Sequence, residues 1–295
     1  MITEYVLVCV SDRIIEERFR TELKQILTHF KCGIQKAERK KKGLYYHIES
    51  TQLDRESLNA SLMNLSVIHE IDIGLIPKNI FHAKKGLVVF DMDSTLITAE
   101  VIDEMAVHHG VGEKVKLITS RAMNGELRFD QSLTERVALL KGFEREHMEE
   151  ILVGLTLTKG TQELIEALQK HGVKTAIASG GFRYFAERLQ TKLKIDYVFA
   201  NDLEFENDLL TGKIMGPIVN GEMKEKILID LANQEGLDLN QVVAIGDGAN
   251  DIPMLLKAGL GIAIHAKLKV QKNANYRINF GPMTSALSYM NYEAL

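Results

Sequence analysis

Cysteine is scarce in this sequence, since Cys9 and Cys32 are the only two among 295 residues. Two cysteines are too few for a disulfide framework or a cysteine-based metal site. The longest apolar runs, such as Ala258–Ala266, fall well short of the ~18 residues that a membrane span requires. The first ten residues include Glu4 and lack the basic start and apolar core of a secretory signal. These absences favour a cytoplasmic protein with no membrane partner.

The sequence also has no excess of positive charge. Lys and Arg number 36 and Asp and Glu number 40, which gives a formal net charge of −4. A general nucleic-acid-binding protein would carry a basic face, so no nucleic-acid partner is expected. What is present is an ordinary globular composition, with 45% hydrophobic and 26% charged residues. At ~150 residues per domain, the length predicts about two domains.

The first 80 residues alternate between short β-rich and helical patterns. Apolar residues recur there at strand or helical spacing. This predicts strands and helices, in chain order, at 5–10, 13–30, 33–38, 44–50, 55–68 and 71–76. The run Lys40–Gly43 is the predicted hairpin turn. The order βαββαβ is that of a ferredoxin-like fold. In pattern alone it resembles the ACT-like regulatory domains of amino-acid enzymes, which implies a regulatory or dimerisation domain over 1–80.

Beyond 77–79 the pattern changes to continuous aliphatic strands separated by helical segments. The strands are predicted at 87–90, 174–178, 241–245 and 261–264. Continuous rather than alternating apolar strands indicate a parallel sheet covered by helices on both faces. The insert at about 99–157 has amphipathic helical stretches and needs its own small core. The sequence thus predicts an α/β domain over 81–295, with a Rossmann-like parallel sheet core. A helical cap is inserted after the polar segment that follows the first strand.

Two acidic residues follow the first of these strands directly, in the segment Phe90–Thr95, where Asp91 and Asp93 flank Met92. Folds of the α/β class bind ligands where the chain leaves a parallel sheet. One carboxylate can attack phosphorus while the other moves protons, and a divalent cation can reduce the repulsion between them. A bare Asp-x-Asp is common, so this motif alone is equally compatible with polar loop residues or helix caps.

Three further polar motifs lie later in the chain. Ser179–Gly181 can donate hydrogen bonds to a phosphate, although by itself an ordinary glycine-rich turn is the better interpretation. Lys224 offers a compact positive charge for a phosphate, although most helical lysines are simply solvated. Gly246–Asp251 supplies hard oxygen ligands of the kind that Mg²⁺ prefers. An ordinary surface turn does not explain why the arrangement of a strand followed by an acid occurs twice.

Together, and in this order, the four motifs resemble the haloacid-dehalogenase-like (HAD) phosphohydrolase superfamily. The resemblance covers about 85–268 and is most specific around Asp91 and Asp247. Within the superfamily it narrows to the phosphoserine phosphatase family, to which the cap segment Arg128–Leu133 is also similar. Met92 stands where Phe is often found between the two acids, a change that should leave the chemistry intact.

The resemblance implies Mg²⁺-dependent hydrolysis of O-phospho-L-serine through an aspartyl-phosphate, the last step of serine biosynthesis. Asp91 would be the nucleophile, while Asp93 would protonate the leaving oxygen and then activate water. Mg²⁺ would be held by Asp91, by the main-chain carbonyl of Asp93 and by Asp247, with Asp251 in support. Proximity to the cation favours an ionised nucleophile, whereas the acid–base residue must exchange a proton.

The resemblance also implies how the substrate is held. Glu100 would face the ammonium group, and Arg136 would pair with the carboxylate, for which its planar guanidinium is suited. The phosphate contacts would come from Ser179, the Gly180 N–H, Lys224 and Asn250.

Two other functions stay open. The same scaffold could act on another small phosphomonoester or pass the phosphoryl group to a different acceptor, but a substrate lacking amino and carboxylate groups would leave Glu100 and Arg136 unpaired. The chain could instead be a non-enzymatic amino-acid sensor, which would have no need of the two acids. Because ACT-like units often pair, we expect a homodimer through the first domain. His108 and His109 are adjacent and point in different directions on a helix, so neither is predicted to be a ligand.

Overall fold

The computed structural model describes residues 2–40 and 43–292. The elements of its first part are β1 Thr3–Val10, α1 Glu17–His29, β2 Gly33–Lys40, β3 Gly43–Ser50, α2 Arg55–His69, β4 Asp72–Pro77 and α3 Lys78–His82. The four strands form an antiparallel sheet in the order β2-β3-β1-β4. This order and the two long helices confirm the ferredoxin-like βαββαβ arrangement.

The start of α1 differs from the prediction. The helix begins at Glu17 rather than at position 13, and Arg13 instead forms an ion pair with Glu70 at 2.6 Å. Within the predicted helical range 13–30, the apolar spacing includes Ile14 and Ile15, but Ile14 is 83% exposed, whereas Ile15 is buried. Of the predicted hairpin turn, Lys41 and Lys42 lie outside the described residues.

Both faces of β1 are buried, which explains why this strand is apolar at every position from Tyr5 to Val10. Successive side chains of a strand point to opposite faces. The odd-numbered residues Tyr5 to Cys9 pack against α1 and α2, and the even-numbered residues Val6 to Val10 join the core of the second part. The buried carboxylate of Asp72 adds a polar link between the two parts, since it accepts hydrogen bonds from the backbone N–H groups at positions 279–281. The division into domains at about residue 80 stays a prediction.

The second part contains a seven-stranded sheet surrounded by helices. Its elements are β5 Leu87–Phe90, α4 Val101–His108, α5 Gly112–Met123, α6 Phe129–Leu139, α7 His147–Gly154, α8 Thr161–Lys170, β6 Lys174–Phe182, α9 Arg183–Leu193, β7 Tyr197–Glu206, β8 Leu209–Met215, α10 Gly221–Gln234, β9 Val242–Gly246, α11 Ile252–Lys257, β10 Leu260–Ile264, α12 Leu268–Asn273, β11 Tyr276–Ile278 and α13 Ser285–Tyr289. Across the described ranges, we find no helix with the length and apolarity that crossing a bilayer requires.

The large sheet has the strand order β11-β10-β9-β5-β6-β7-β8, and its pairs are parallel except for that of β7 with β8. Strand β5 lies at its centre and is fully buried, with Val88 and Phe90 on one face and Leu87 and Val89 on the other. The continuous apolar strands in the sequence predict a parallel α/β core, and the structure confirms it.

Strands β7, β8 and β11 were missed by the sequence interpretation. The first two form a hairpin at the sheet edge, where many positions are only half-buried and the apolar pattern is weak. The sequence did contain a local signal for the hairpin, because Asn and Asp favour tight hairpin turns. Asn207 and Asp208 form this turn, with positive φ values of 51° and 62°.

The helical cap follows the first motif, as predicted. Helices α4 to α7 fill the region 101–154. The two connections to the cap lie side by side, because Ile97 and Leu157 form an antiparallel bridge and the N–H of Thr98 donates to the carbonyl of Thr156 at 3.0 Å. This double connection holds the cap over the end of β5, where the first motif begins.

Candidate active site

The carboxyl ends of three neighbouring strands meet at the middle of the large sheet. Strand β5 lies between β6 and β9. Asp91 directly follows β5, Ser179 lies near the end of β6, and Asp247 directly follows β9. Three separate stretches of sequence are thus brought together with Lys224 of α10, at the position where α/β folds bind ligands.

A cavity of about 80 Å³ lies at this point, between the sheet and the cap. A water molecule needs at least ~10–15 Å³ of such volume, so the cavity suits a small molecule and not a polymer. The predicted site residues that line it are Asp91, Asp93, Glu100, Arg136, Gly180, Asp247 and Asn250. Ser179 and Lys224 are fully buried and support this wall from behind.

Lys224 is the central cation of the site. Its Nζ lies 2.8 Å from Asp91 Oδ2 and 2.7 Å from Asp251 Oδ1, and its side chain has no exposure to solvent. The first turn of α10 positions it, because the Asn220 side chain caps this helix by accepting the N–H of Met223 at 3.0 Å. Burial alone would lower the pKa of Lys224, but the charges of Asp251 and Asp91 outweigh burial and raise it, so the amine stays charged.

Asp93 has the environment of a proton-exchanging group. Burial, together with the charges of Glu100 and Asp91, raises the pKa of Asp93 well above its usual range. Its Oδ1 faces the N–H of Val101 at the start of α4, at 3.4 Å. Two carboxylates of one motif therefore differ in environment, since Asp91 faces the ammonium of Lys224 and Asp93 does not form that ion pair.

The cap contributes one group of each charge. Glu100 precedes α4 and accepts a hydrogen bond from Ser94 Oγ at 2.6 Å. Arg136 of α6 donates from Nε to the carbonyl of Ser132 at 3.3 Å and forms no ion pair with any residue in the described part of the chain. Glu100 and Arg136 both line the cavity, so a ligand there meets an anion and a cation in addition to the acidic motifs.

Three carboxylates could hold a divalent metal ion. Single oxygens of Asp91, Asp247 and Asp251 lie within 4.8 Å of one another. Burial of the carboxyl group and, as the second cause, the negative charge of Asp91 raise the pKa of Asp247 to about 7. Repulsion of this kind is relieved by a bound cation, and hard carboxylate oxygens are the ligands that Mg²⁺ prefers. The residues present therefore fit a metal site.

Two glycines allow the loops to approach this cluster closely. A Cβ added at Gly181 would lie 2.4 Å from Asp93 Oδ2, and one added at Gly246 would lie 2.4 Å from Asp251 Oδ2. Either contact is far inside van der Waals distance. The two glycine-containing motifs are thus required for the acids to sit at this spacing.

Three side chains that support the site were missed in the sequence. Thr95 Oγ1 donates to Asp247 Oδ1 at 2.8 Å, which links the first motif to the last. Asn201 is buried. Its Nδ2 donates to the Gly180 carbonyl and its Oδ1 accepts from the Val219 N–H, each at 2.8 Å. Asn220 reaches from α10 to the cap residue Asp130 at 3.1 Å. Only Thr95 lies within a recognised motif, so only this residue had a local signal.

A model of the haloacid dehalogenase-like hydrolase family matches residues 86–259. The chain is also similar to curated proteins called phosphoserine phosphatase. The one from Archaeoglobus fulgidus is 49% identical over 197 residues, which are 67% of this chain and 57% of that protein. The one from Saccharomyces cerevisiae is 36% identical across 98% of this chain and 97% of that protein. The aligned part thus spans just over half of the archaeal relative and nearly all of the yeast relative.

Solved structures share the architecture. A HAD family hydrolase from Salmonella enterica serovar Typhi superposes with a TM-score of 0.86 at 30% identity, covering 98% of this chain and 99% of that one. A structure described as a phospho-aspartyl intermediate analogue of phosphoserine phosphatase has a TM-score of 0.67 at 43% identity, covering 70% of this chain and all of that one. The first match includes the small antiparallel sheet, and the second is restricted to a shorter chain.

Proposed function

Since this chain belongs to the haloacid dehalogenase-like hydrolase family, we propose that it hydrolyses O-phospho-L-serine to L-serine and inorganic phosphate, the last step of serine biosynthesis. One observation carries the proposal. A single small cavity has Asp91 and Asp93 on its sheet side and Glu100 and Arg136 on its cap side. The first pair suits phosphoryl transfer, and the second pair is complementary to the ammonium and carboxylate of an amino acid.

The first half of the reaction transfers the phosphoryl group to Asp91. A carboxylate oxygen of Asp91 attacks phosphorus, the bond from phosphorus to the serine oxygen breaks, and the carboxyl group of Asp93 donates its proton to that oxygen. The raised pKa of Asp93 favours the protonated form that this step needs. Lys224 lies 2.8 Å from the attacking carboxylate and offsets charge as the bond forms.

The second half releases phosphate. Asp93, now a carboxylate, takes a proton from water, the water oxygen attacks phosphorus, and the bond to Asp91 breaks. Asp91 returns as a carboxylate, and serine and phosphate are the products. Ser179, the Gly180 N–H and Asn250 are proposed to hold the phosphoryl oxygens. Ser179 and Gly180 lie near the end of β6 and Asn250 follows β9, and these two strands flank β5, which ends at Asp91.

We propose Mg²⁺ as the metal ion, held by Asp91, the main-chain carbonyl of Asp93 and Asp247. When bound, such an ion offsets the negative charge of the phosphoryl group and polarises its oxygens. Asp251 supports the site from behind, because its two oxygens bind Lys224 Nζ at 2.7 Å and the N–H of Gly248 at 2.8 Å.

Replacing Asp247 tests the metal site. We expect Asp247→Asn to weaken Mg²⁺ binding, because one charged oxygen ligand is lost, and excess Mg²⁺ should recover part of the rate. Calorimetric titration with Mg²⁺ and the Mg²⁺ dependence of turnover would measure this. Asp208→Asn is the matched control, since Asp208 has a side-chain exposure of 83% in a surface hairpin. Titration curves for Asp247→Asn that match the wild type would rule out Asp247 as a ligand.

Replacing Arg136 tests substrate selection. We expect Arg136→Ala to raise KM for phosphoserine while sparing p-nitrophenyl phosphate, because only phosphoserine has a carboxylate. Loss of a charge-assisted pair costs roughly 1.5–3 kcal/mol, which corresponds to roughly 10- to 100-fold in KM. Arg121→Ala is the control on a neighbouring cap helix, where Arg121 pairs with surface glutamates. Equal losses on both substrates would show that Arg136 has a structural role.

A set of substrate analogues tests the function as a whole. Phosphate release from phosphoserine should exceed that from O-phosphoethanolamine, which lacks the carboxylate, and from phospholactate, which lacks the ammonium. Glu100→Gln should narrow the gap between phosphoserine and phospholactate, and Arg136→Ala the gap between phosphoserine and phosphoethanolamine. Faster hydrolysis of either analogue by the wild type would favour a different phosphomonoester, and no hydrolysis at all would favour the sensor.

The ACT-like part over the first 80 residues is the last subject of the proposal. We propose that this ACT-like part regulates the enzyme or joins two chains in a homodimer, and that the protein acts in the cytoplasm. Light scattering on the full chain tests the homodimer, and turnover measured with and without serine tests the regulation. A monomer whose turnover is unchanged by serine would contradict both roles.

A further inference from the structure

A second cluster of possible metal ligands lies in the cap, outside the active site. His108 ends α4, and His147 begins α7 together with Glu150 one turn later. Ligand atoms of these three side chains all lie within 4.8 Å of one another. His108 Nε2 is 3.0 Å from Glu150 Oε2, and His147 Nδ1 is 3.5 Å from the same oxygen.

The orientation of His147 points to a ligand in the middle of this cluster. Its Nδ1 is shielded from solvent and has no hydrogen-bond partner in the part of the chain that the structure describes. Its other ring nitrogen, Nε2, lies 3.7 Å from Glu144 Oε2, which is an ion-pair distance and longer than a hydrogen bond. Imidazoles that bind metals usually donate their second N–H to a carboxylate, and Glu144 is a carboxylate on that side of the ring.

Packing already fixes the two imidazole rings. Their centroids are 4.3 Å apart, and both rings lie edge-on to Phe143, at 6.0 Å for His108 and 5.9 Å for His147. Phe143 is buried and forms the apolar floor of the cluster. A site whose ligands are held in place before binding loses less conformational entropy when the ion enters.

We propose that His108, His147 and Glu150 bind a transition-metal ion of the Zn²⁺ type, with water as the fourth ligand. Zn²⁺ bonds to nitrogen and oxygen are about 2.0–2.1 Å long, so tetrahedral ligand atoms lie about 3.3 Å apart. The observed separations from Glu150 Oε2, 3.0 and 3.5 Å, bracket this value. Two imidazoles distinguish the cluster from the all-oxygen active site, which suits Mg²⁺.

The consequence is a cross-link between two cap helices. Helix α4 follows Glu100, which lines the active-site cavity, and ends at His108. An ion bound to His108 and to α7 therefore fixes the far end of the helix that carries the proposed ammonium-binding group. The sequence analysis missed this site because it compared His108 only with its neighbour His109. The second imidazole, that of His147, comes from a helix that is distant in the sequence.

Co²⁺ in the presence of excess Mg²⁺ is the probe that separates the two sites. Tetrahedral Co²⁺ with imidazole ligands absorbs visible light far more strongly than octahedral Co²⁺ with oxygen ligands. We expect one equivalent of Co²⁺ to give the strong bands in the wild type and Zn²⁺ to abolish them. His108→Ala and His147→Ala should lose the bands, and calorimetry should show at least tenfold weaker Zn²⁺ binding. Glu144→Gln should weaken binding about tenfold through the orientation of His147.

His109→Ala is the matched control, because His109 is the neighbouring imidazole and contacts the Lys141 carbonyl at 3.1 Å instead of the cluster. It should keep the strong bands. Mg²⁺-dependent turnover by each variant shows that it is folded, since none of these side chains lines the active-site cavity. Weak bands in the wild type, or strong bands retained by His108→Ala, would overturn the proposal.

Discussion

Asp91→Asn should abolish phosphate release. The neutral amide cannot act as the proposed nucleophile, and the proposed metal site loses one of its charged ligands. Removal of a catalytic nucleophile lowers turnover by about 10⁴–10⁶-fold in well-studied hydrolases. Because Asp91 also pairs with Lys224 at 2.8 Å, the variant's folding should be checked by circular dichroism alongside steady-state release of phosphate from phosphoserine.

Acid quenching of turnover with phosphoserine that is radiolabelled in its phosphate traps any phosphorylated protein. It therefore distinguishes the two proposed halves of the reaction. The wild type should yield a labelled protein, and Asp91→Asn should yield none. Asp93→Asn is the informative partner variant, because it keeps the proposed nucleophile but removes the group proposed to activate water. Near-normal turnover by an Asp91→Asn protein verified by mass spectrometry would contradict the aspartyl-phosphate mechanism.

Lys224→Met should lower the free energy of unfolding by about 3–5 kcal/mol, the cost of leaving a buried charge without its partner. The side chain has no exposure and lies between Asp91 and Asp251, so its removal leaves two carboxylates facing each other in the protein interior. Turnover should fall as well, because the ammonium faces the attacking carboxylate. Urea unfolding followed by circular dichroism measures the stability change.

Lys226→Met is the matched control two positions along the same helix. Lys226 pairs with Asp230 at the surface, with a side-chain exposure of 66%, so the change should stay within about 0.5 kcal/mol. Adding Asp251→Asn to Lys224→Met should recover part of the lost stability, because one of the two unpaired charges is then removed. Equal stabilities of Lys224→Met and Lys226→Met would show that the buried ion pairs contribute little.

Local sequence was sufficient for the framework of the fold and for the four motifs. The core strands β5, β9 and β10 are short runs without a polar side chain, and such runs can be recognised because burial on both faces leaves no room for alternation. Each acidic motif is contiguous, so Asp91 with Asp93 and Asp247 with Asp251 can be recognised without knowing what packs against them. Edge strands such as β7 and β8 lacked this signal because they are only half-buried.

The sequence by itself determined the class of the fold, the strand-end position of the acids and the family resemblance, since these depend on residues close together in the chain. Only the tertiary structure decided which distant side chains meet. It placed Lys224 between Asp91 and Asp251, and it brought His147 to His108. The physical reason is that hydrogen bonds and ion pairs form over about 3 Å, a scale set by the packing of helices on the sheet and not by sequence spacing.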